Sequence, residues 1–204
     1  FNNPKIGLVY SNSLFFNSKG ETRQAFKKIL PCKGLCFKKL LSRYFLSIET
    51  VIIRKQALNE QDTWFNNNYN MIEEADLFRR IAYNWEIDGI IDVLAKWRVH
   101  SNSLTYKNPN LLKSESIDMI NNFEKIYPNF KKNFNFEIKE LFKLIHQYEA
   151  RNFWFKGNKW PLVKYLFNEK SFKFIFFGFI VFLLPVSLAK FIMKLRGDVF
   201  PYEY

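Results

Sequence analysis

Asn70-Met71-Ile72-Glu73-Glu74-Ala75-Asp76-Leu77-Phe78-Arg79-Arg80, with Leu94-Ala95-Lys96-Trp97-Arg98-Val99-His100-Ser101-Asn102-Ser103-Leu104-Thr105 behind it, decides how this chain is read. The first stretch opens a helix. Asn70 suits an N-cap, and Glu73 three residues later completes a capping box. Helical spacing puts Glu74, Leu77 and Ile81 on one face and sets Asp76 four residues before Arg80, as an i,i+4 pair. The helix is expected to end near Asn84. Strand material follows from Ile87 to Val99. Its period of two sends Val93, Ala95, Trp97 and Val99 one way, and Leu94, Lys96, Arg98 and His100 the other. One short region thus offers carboxylates that can act as base, cations that can hold phosphate and a histidine that can hold a metal.

Working outward, Ile6-Gly7-Leu8-Val9-Tyr10 reads as a buried strand closed by Ser11-Asn12-Ser13. A loop with Asn17-Ser18-Lys19-Gly20 follows. Residues 24–45 are basic and apolar, broken by Pro31 and Gly34, and read as a mobile loop plus a short helix. Ser47 to Arg54 is rich in β-branched residues and reads as a second strand. Beyond Asn108 the character changes. Lys113 to Tyr127 and Phe136 to Phe153 carry helical periodicity, and a short helix is expected from Pro161 to Asn168. The fold class is therefore α/β up to about residue 107, followed by an all-helical tail.

Composition narrows the function. The 204 residues are 48% apolar and include 24 Phe, which is enough for a true core and excludes a disordered chain. The net charge of +12 asks for an acidic partner: nucleic acid, an anionic membrane surface or a phosphorylated ligand. Nucleic acid is the poorest of these. Lys and Arg are spread along the chain, with no zinc-finger, RNP-like or GxxG element to focus them. Cys32 and Cys36 are too few for a disulfide framework, and read as ordinary thiols of a reducing compartment. Their C-x3-C spacing lacks the second ligand pair that a metal site needs. The chain opens on Phe1 without a signal-peptide pattern, so it is expected to be processed or to be the tail of a longer protein.

Phe174 to Ala189 runs sixteen residues without a charge, flanked by Lys170, Lys173, Lys190, Lys194 and Arg196. A spanning helix needs roughly 20 apolar residues, and this run holds Pro185. An interfacial or re-entrant membrane segment is the preferred reading, ahead of a buried or partner-facing helix and of a true span. Cations on both flanks suit anionic lipid.

Taken singly, the chemical residues have plain explanations. Acids in a first helical turn are favoured by the helix dipole. A histidine at a strand end is usually a simple hydrogen-bonding residue, Lys96 and Arg98 suit a solvated strand face, and Trp97 suits a core. In this order, however, they resemble the C-terminal half of family 2 glycosyltransferases of the GT-A fold. That family carries an acidic element often written E-D-x-D-L-x-x-R, here Glu73-Glu74-Ala75-Asp76-Leu77-Phe78-Arg79-Arg80. Many members follow it with L-x-x-[YW]-R-x-H-x-x-S-x-T, matched here at Leu94, Trp97, Arg98, His100, Ser103 and Thr105. Gly7 to Asn12 resembles the strand just after the donor site, and Glu49 to Lys55 the strand before the acceptor-side helix. The likeness covers about residues 4–107.

The resemblance implies an inverting transfer of a sugar from a nucleoside-diphosphate sugar to an acceptor hydroxyl. It assigns the general base to Glu74, where the family has aspartate, with Glu73 and Asp76 able to share the work. Arg98, Lys96 and Arg80 would bind substrate. His100 would join the shell of a divalent cation, Mn²⁺ or Mg²⁺, that neutralises the leaving diphosphate. The acceptor would be a saccharide or a lipid-linked one. The protein would sit in the cytoplasm, peripheral on the inner face of the cell membrane. The chain divides into an acceptor-side half (1–107), a helical extension (108–168) and a basic-flanked hydrophobic segment (169–204). The family's Asp-x-Asp element and first βαβ unit do not occur in the sequence. The chain is thus expected to be a fragment that does not turn over without a preceding nucleotide-binding half. The alternative is a membrane-associated basic scaffold, or an inactive relative, with the acidic helix and His100 structural.

Overall fold

Strand β1 (Ile6–Phe16) is the spine of a four-stranded mixed sheet in the computed structural model, which describes residues 3–104 and 108–168 and six single positions between 183 and 195. Along one edge β1 pairs in parallel with β4 (Glu86–Arg98). Its other edge is shared. β3 (Ile52–Ile53) pairs antiparallel near its start, at Leu8 and Val9. β2 (Thr22–Gln24) folds back antiparallel on its end, from Leu14 to Phe16.

The strand therefore does not close at Ser11-Asn12-Ser13, as its polarity suggested. All three residues are buried in mid-strand. Polar groups survive there because their bonds are made. The Asn12 amide donates to the Phe26 carbonyl at 2.8 Å and accepts the Phe26 N–H at 2.9 Å, clipping the following segment to the sheet. The Ser13 hydroxyl donates to Glu49 Oε1 at 2.6 Å.

The β1–β4 register slips where Ser11 faces Ile90 but Asn12 faces Val93, and again before Ser13 meets Ala95. These bulges turn the exposed Ile90, Ile91 and Leu94 away from the core. Gly89 is required by close approach: a Cβ there would stand 2.5 Å from the Tyr10 carbonyl oxygen.

Ser47 to Arg54 is not one strand. Ile48–Thr50 forms a 3₁₀ turn, in which the Thr50 hydroxyl donates to the Ser47 carbonyl at 2.7 Å, and only Ile52–Ile53 pairs. Local side-chain bonding outcompetes strand propensity there. Short helices α1 (Phe37–Ser42) and α2 (Lys55–Asn59) flank it, and α3 (Glu73–Asn84) leads directly into β4.

The tail holds the three expected helices, α4 (Pro109–Ile126), α6 (Asn135–Phe155) and α7 (Trp160–Asn168), and a short α5 (Phe130–Asn133) where only turns were expected. Its inner residues Met119, Phe123, Phe130, Leu141 and Ile145 join the same core as Leu8, Tyr10, Leu77, Ile81 and Ile87. Rings of Phe37, Tyr83, Tyr127, Phe130 and Phe134 knit the two parts, with Tyr83 stacked on Tyr127 at 3.9 Å. The chain is thus mixed α/β, with seven α-helices among the described residues.

The cysteines are not free thiols. Cys32 and Cys36 are joined in a disulfide that closes the turn ahead of α1. That turn docks on the start of β4, where Gly34 and Ile87 exchange backbone hydrogen bonds at 2.7 and 2.8 Å. Among the described residues no helix is long and apolar enough to cross a membrane. The uncharged run 174–189 lies outside them, apart from single positions.

Candidate functional site

Helix α3 presents its first turn toward the middle of the sheet, but not through the expected capping box. The helix begins at Glu73, with Ile72 in the cap position and no side-chain cap. The backbone N–H groups of Asn70, Met71 and Ile72 donate instead to the carboxylate of Glu115, at 3.0, 2.9 and 3.2 Å. Glu115 is buried on α4. A residue 43 positions on from Ile72 thus does what the local box was expected to do.

Glu74 and Glu73 stand on this turn, both half-buried. Burial pushes the Glu74 carboxyl above its ordinary range. Hydrogen bonds from its own backbone N–H and that of Ala75, and the Arg79 charge, pull it down, while the Glu73 charge raises it further. One oxygen of Glu73, Oε2, is buried without a hydrogen-bond partner.

Two unforeseen residues complete the surroundings. Arg79 is buried, donates from Nε to the Leu40 carbonyl at 3.2 Å, and lies over the Tyr44 ring at 5.3 Å. Burial lowers it to about 10, against the pull of Tyr44, Asp76 and Glu74. The Tyr44 hydroxyl is buried without a partner, and is held well above its ordinary value by burial first and then by Glu74, Glu49 and Glu73. Three carboxylates, a phenol and a guanidinium therefore share one electrostatic neighbourhood, reached from β1 through Ser13 and Glu49. Helical spacing could have found Arg79, since it falls in line with Ala75 and Ala82 on the inward stripe. Tyr44 carried no local signal.

The raised Glu74 carboxyl sets a stability expectation. The fold holds that proton more tightly than the unfolded chain does. Stability is therefore lost as pH climbs from the ordinary carboxyl range through the raised value. E74Q stays neutral throughout. It is expected to melt above the parent at neutral pH, and the difference should close as pH falls below the ordinary glutamate value. Thermal melts followed by circular dichroism across that range check this; a variant that melts lower at every pH contradicts it.

Asp76 and Arg80 do something else. They form a buried pair at 2.9 Å. Burial raises the Asp76 carboxyl while Arg80 holds it down. Arg80 also donates to Gln61 Oε1 and to the carbonyls of Thr63 and Trp64, at 3.2, 2.9 and 3.0 Å. With two bonds to Asp76, all five of its N–H groups are committed inside the protein. Arg80 fixes the segment ahead of α3 and has no donor left for a substrate.

Lys96 and Arg98 behave as the alternation predicted, whereas the strand ends at Arg98 and leaves His100 beyond it. Lys96 and Arg98 are exposed, and Trp97 turns inward to meet the Phe15 ring edge-on at 5.3 Å. Neither cation is in an ion pair among the described residues. His100 is partly buried, and its carbonyl accepts the Ser103 N–H at 3.2 Å. Thr105 lies outside the described residues. No hydrogen bond or ion pair joins these side chains to the carboxylates of α3. Among the described residues no group of three His, Cys, Asp or Glu side chains converges to hold a metal, so His100 has no set around it. The residues present do not by themselves make a cation site.

No family model, curated protein or solved structure matches the chain.

Proposed function

We propose that this chain is the acceptor-side part of an inverting family 2 glycosyltransferase of the GT-A fold. It moves a sugar from a nucleoside-diphosphate donor to an acceptor hydroxyl in the building of a cell-surface polysaccharide or glycolipid. The observation that carries the reading is Glu74. It is a half-buried carboxylate with raised proton affinity, on the first turn of a helix that feeds a strand parallel to β1. A carboxylate so placed can take the proton of a hydroxyl as its oxygen attacks the anomeric carbon and the nucleoside diphosphate leaves. Glu73 raises its proton affinity, while Arg79 keeps its charged form accessible. The exposed Lys96 and Arg98 are free to meet diphosphate oxygens. The reading includes a divalent cation to which this chain contributes His100, with its other ligands from outside the described residues. It also includes a saccharide or lipid-linked acceptor at the cytoplasmic face of a membrane, with the basic-flanked run 174–189 as the contact.

The test is E74Q in the whole protein in which the chain occurs. Transfer is expected to fall about 10²- to 10⁴-fold, the usual span for losing a general base, while donor affinity is kept. Near-normal turnover would remove Glu74 from that role.

A further inference from the structure

A second site lies beside the first, on the side of α3 that carries Asp76 and Arg80. The segment Glu60–Asn66, the C-terminal end of α3 and the last turns of α4 enclose an open cleft of about 370 Å³. That is within the roughly 300–1,000 Å³ of small-molecule sites. The Asp76–Arg80 pair lines it, Asp62, Asn66 and Asn84 stand on one side, and Asn122, Lys125 and Tyr127 on the other.

The chemistry of the lining excludes several occupants. Arg80 has no free N–H, so it cannot grip an anion. The remaining cation, Lys125, donates to Asn122 Oδ1 at 3.4 Å, and the carboxylates of Glu60 and Asp62 line the same cleft. In a chain of net charge +12, this is a place where positive charge does not prevail. No metal-holding group forms here among the described residues. Apolar lining is confined to Phe123, Ile126 and Tyr127 on the α4 side, too little for a greasy ligand.

What remains is a set of unspent polar groups. The side chains of Asp62 and Asn84 and the Tyr127 hydroxyl make no hydrogen bond among the described residues. Asn66 spends its Oδ1 on the Asn68 N–H at 3.0 Å and keeps its amide donors. Carboxylates accept, amides do both, and a phenol does both. Mixed donors and acceptors beside the partly exposed edge of Tyr127 suit a ligand whose hydroxyls both donate and accept.

We propose that this cleft binds a neutral, hydroxyl-rich ligand: a saccharide unit. The site stands apart from Glu74 and does not depend on the glycosyltransferase reading.

The test is an amide NMR titration of the isotope-labelled chain with methyl glycosides of glucose, galactose, mannose and N-acetylglucosamine at millimolar concentration. Inorganic phosphate and uridine serve as comparison probes. At least one glycoside is expected to shift the amides of Asn66, Asn84, Asn122 and Tyr127. D62A/N84A changes only exposed side chains. It should keep the melting temperature and weaken that binding about tenfold, the scale of one or two hydrogen bonds. Silence of these amides to every glycoside overturns the proposal. So does unweakened binding by the variant, or a larger response to phosphate or uridine than to any sugar.

Discussion

Replacing Glu115 with alanine is expected to cost about 3 kcal/mol, because three backbone donors at the entry to α3 lose their one acceptor together. For a chain of 204 residues this corresponds to a fall in melting temperature of roughly 6–12 °C. The size of the effect comes from burial. Glu115 is 6% exposed, so water does not readily replace the carboxylate. E115Q keeps one acceptor oxygen and loses the charge, and should fall between parent and alanine. The reverse order, or a change below about 0.5 kcal/mol in E115A, the ordinary surface range, would show that α3 is capped in another way. N70A supplies the control. Asn70 contributes its backbone N–H rather than a side-chain cap, so that change should be nearly silent.

Glu115 also marks where sequence reading stops. The three longer helices of the tail, the Asp76–Arg80 pair and the β4 alternation were legible, because each is set by spacing within a few residues. So was β1, although it runs past its apolar part to Phe16. Its polar residues are paid for by Asn12 with Phe26 and by Ser13 with Glu49, bonds across 14 and 36 positions that no local pattern announces. The capping box failed for the same reason. A distant carboxylate reached the three N–H groups, and the helix started two residues later than Asn70 would have set it. The 3₁₀ turn at Ile48–Thr50 shows the opposite failure, in which a local hydroxyl bond beats a β-rich composition.

The candidate site divides along the same line. Glu73, Glu74, Lys96, Arg98 and His100 were legible as residue types in an order. Which of them meet was not. The carboxylates of α3 gather Tyr44, Arg79 and Glu49 around them, while Lys96 and Arg98 stay exposed on their strand. The buried Arg79 guanidinium lowers the proton affinity of Glu74 in a way the motif alone could not express, and Glu74 in turn holds the buried Tyr44 phenol up. Any transfer chemistry assigned to Glu74 therefore depends on Arg79 as well as on the motif.

Arg80 carries the largest expected single effect. R80M removes five donors at once. It leaves Asp76 charged and buried, and strips the Thr63 and Trp64 carbonyls of their partners. Breaking one side of a buried pair costs about 3–5 kcal/mol, and the two carbonyls push this toward the upper end. Urea unfolding at neutral pH reads the loss as a lower midpoint with little change in slope. Asp76 gives the result a pH signature. Burial already raises its carboxyl and Arg80 holds it down. Without Arg80 the proton is held more tightly still, so the deficit of R80M should shrink as pH falls and Asp76 becomes neutral. A double change, R80M/D76L, removes the stranded charge and should recover a large part of the loss at neutral pH. The loop Gln61–Trp64 would remain unanchored, so recovery stays incomplete. If R80M instead lost less than about 1 kcal/mol, the pair would be behaving as an exposed one, and the anchoring role of Arg80 would fall with it.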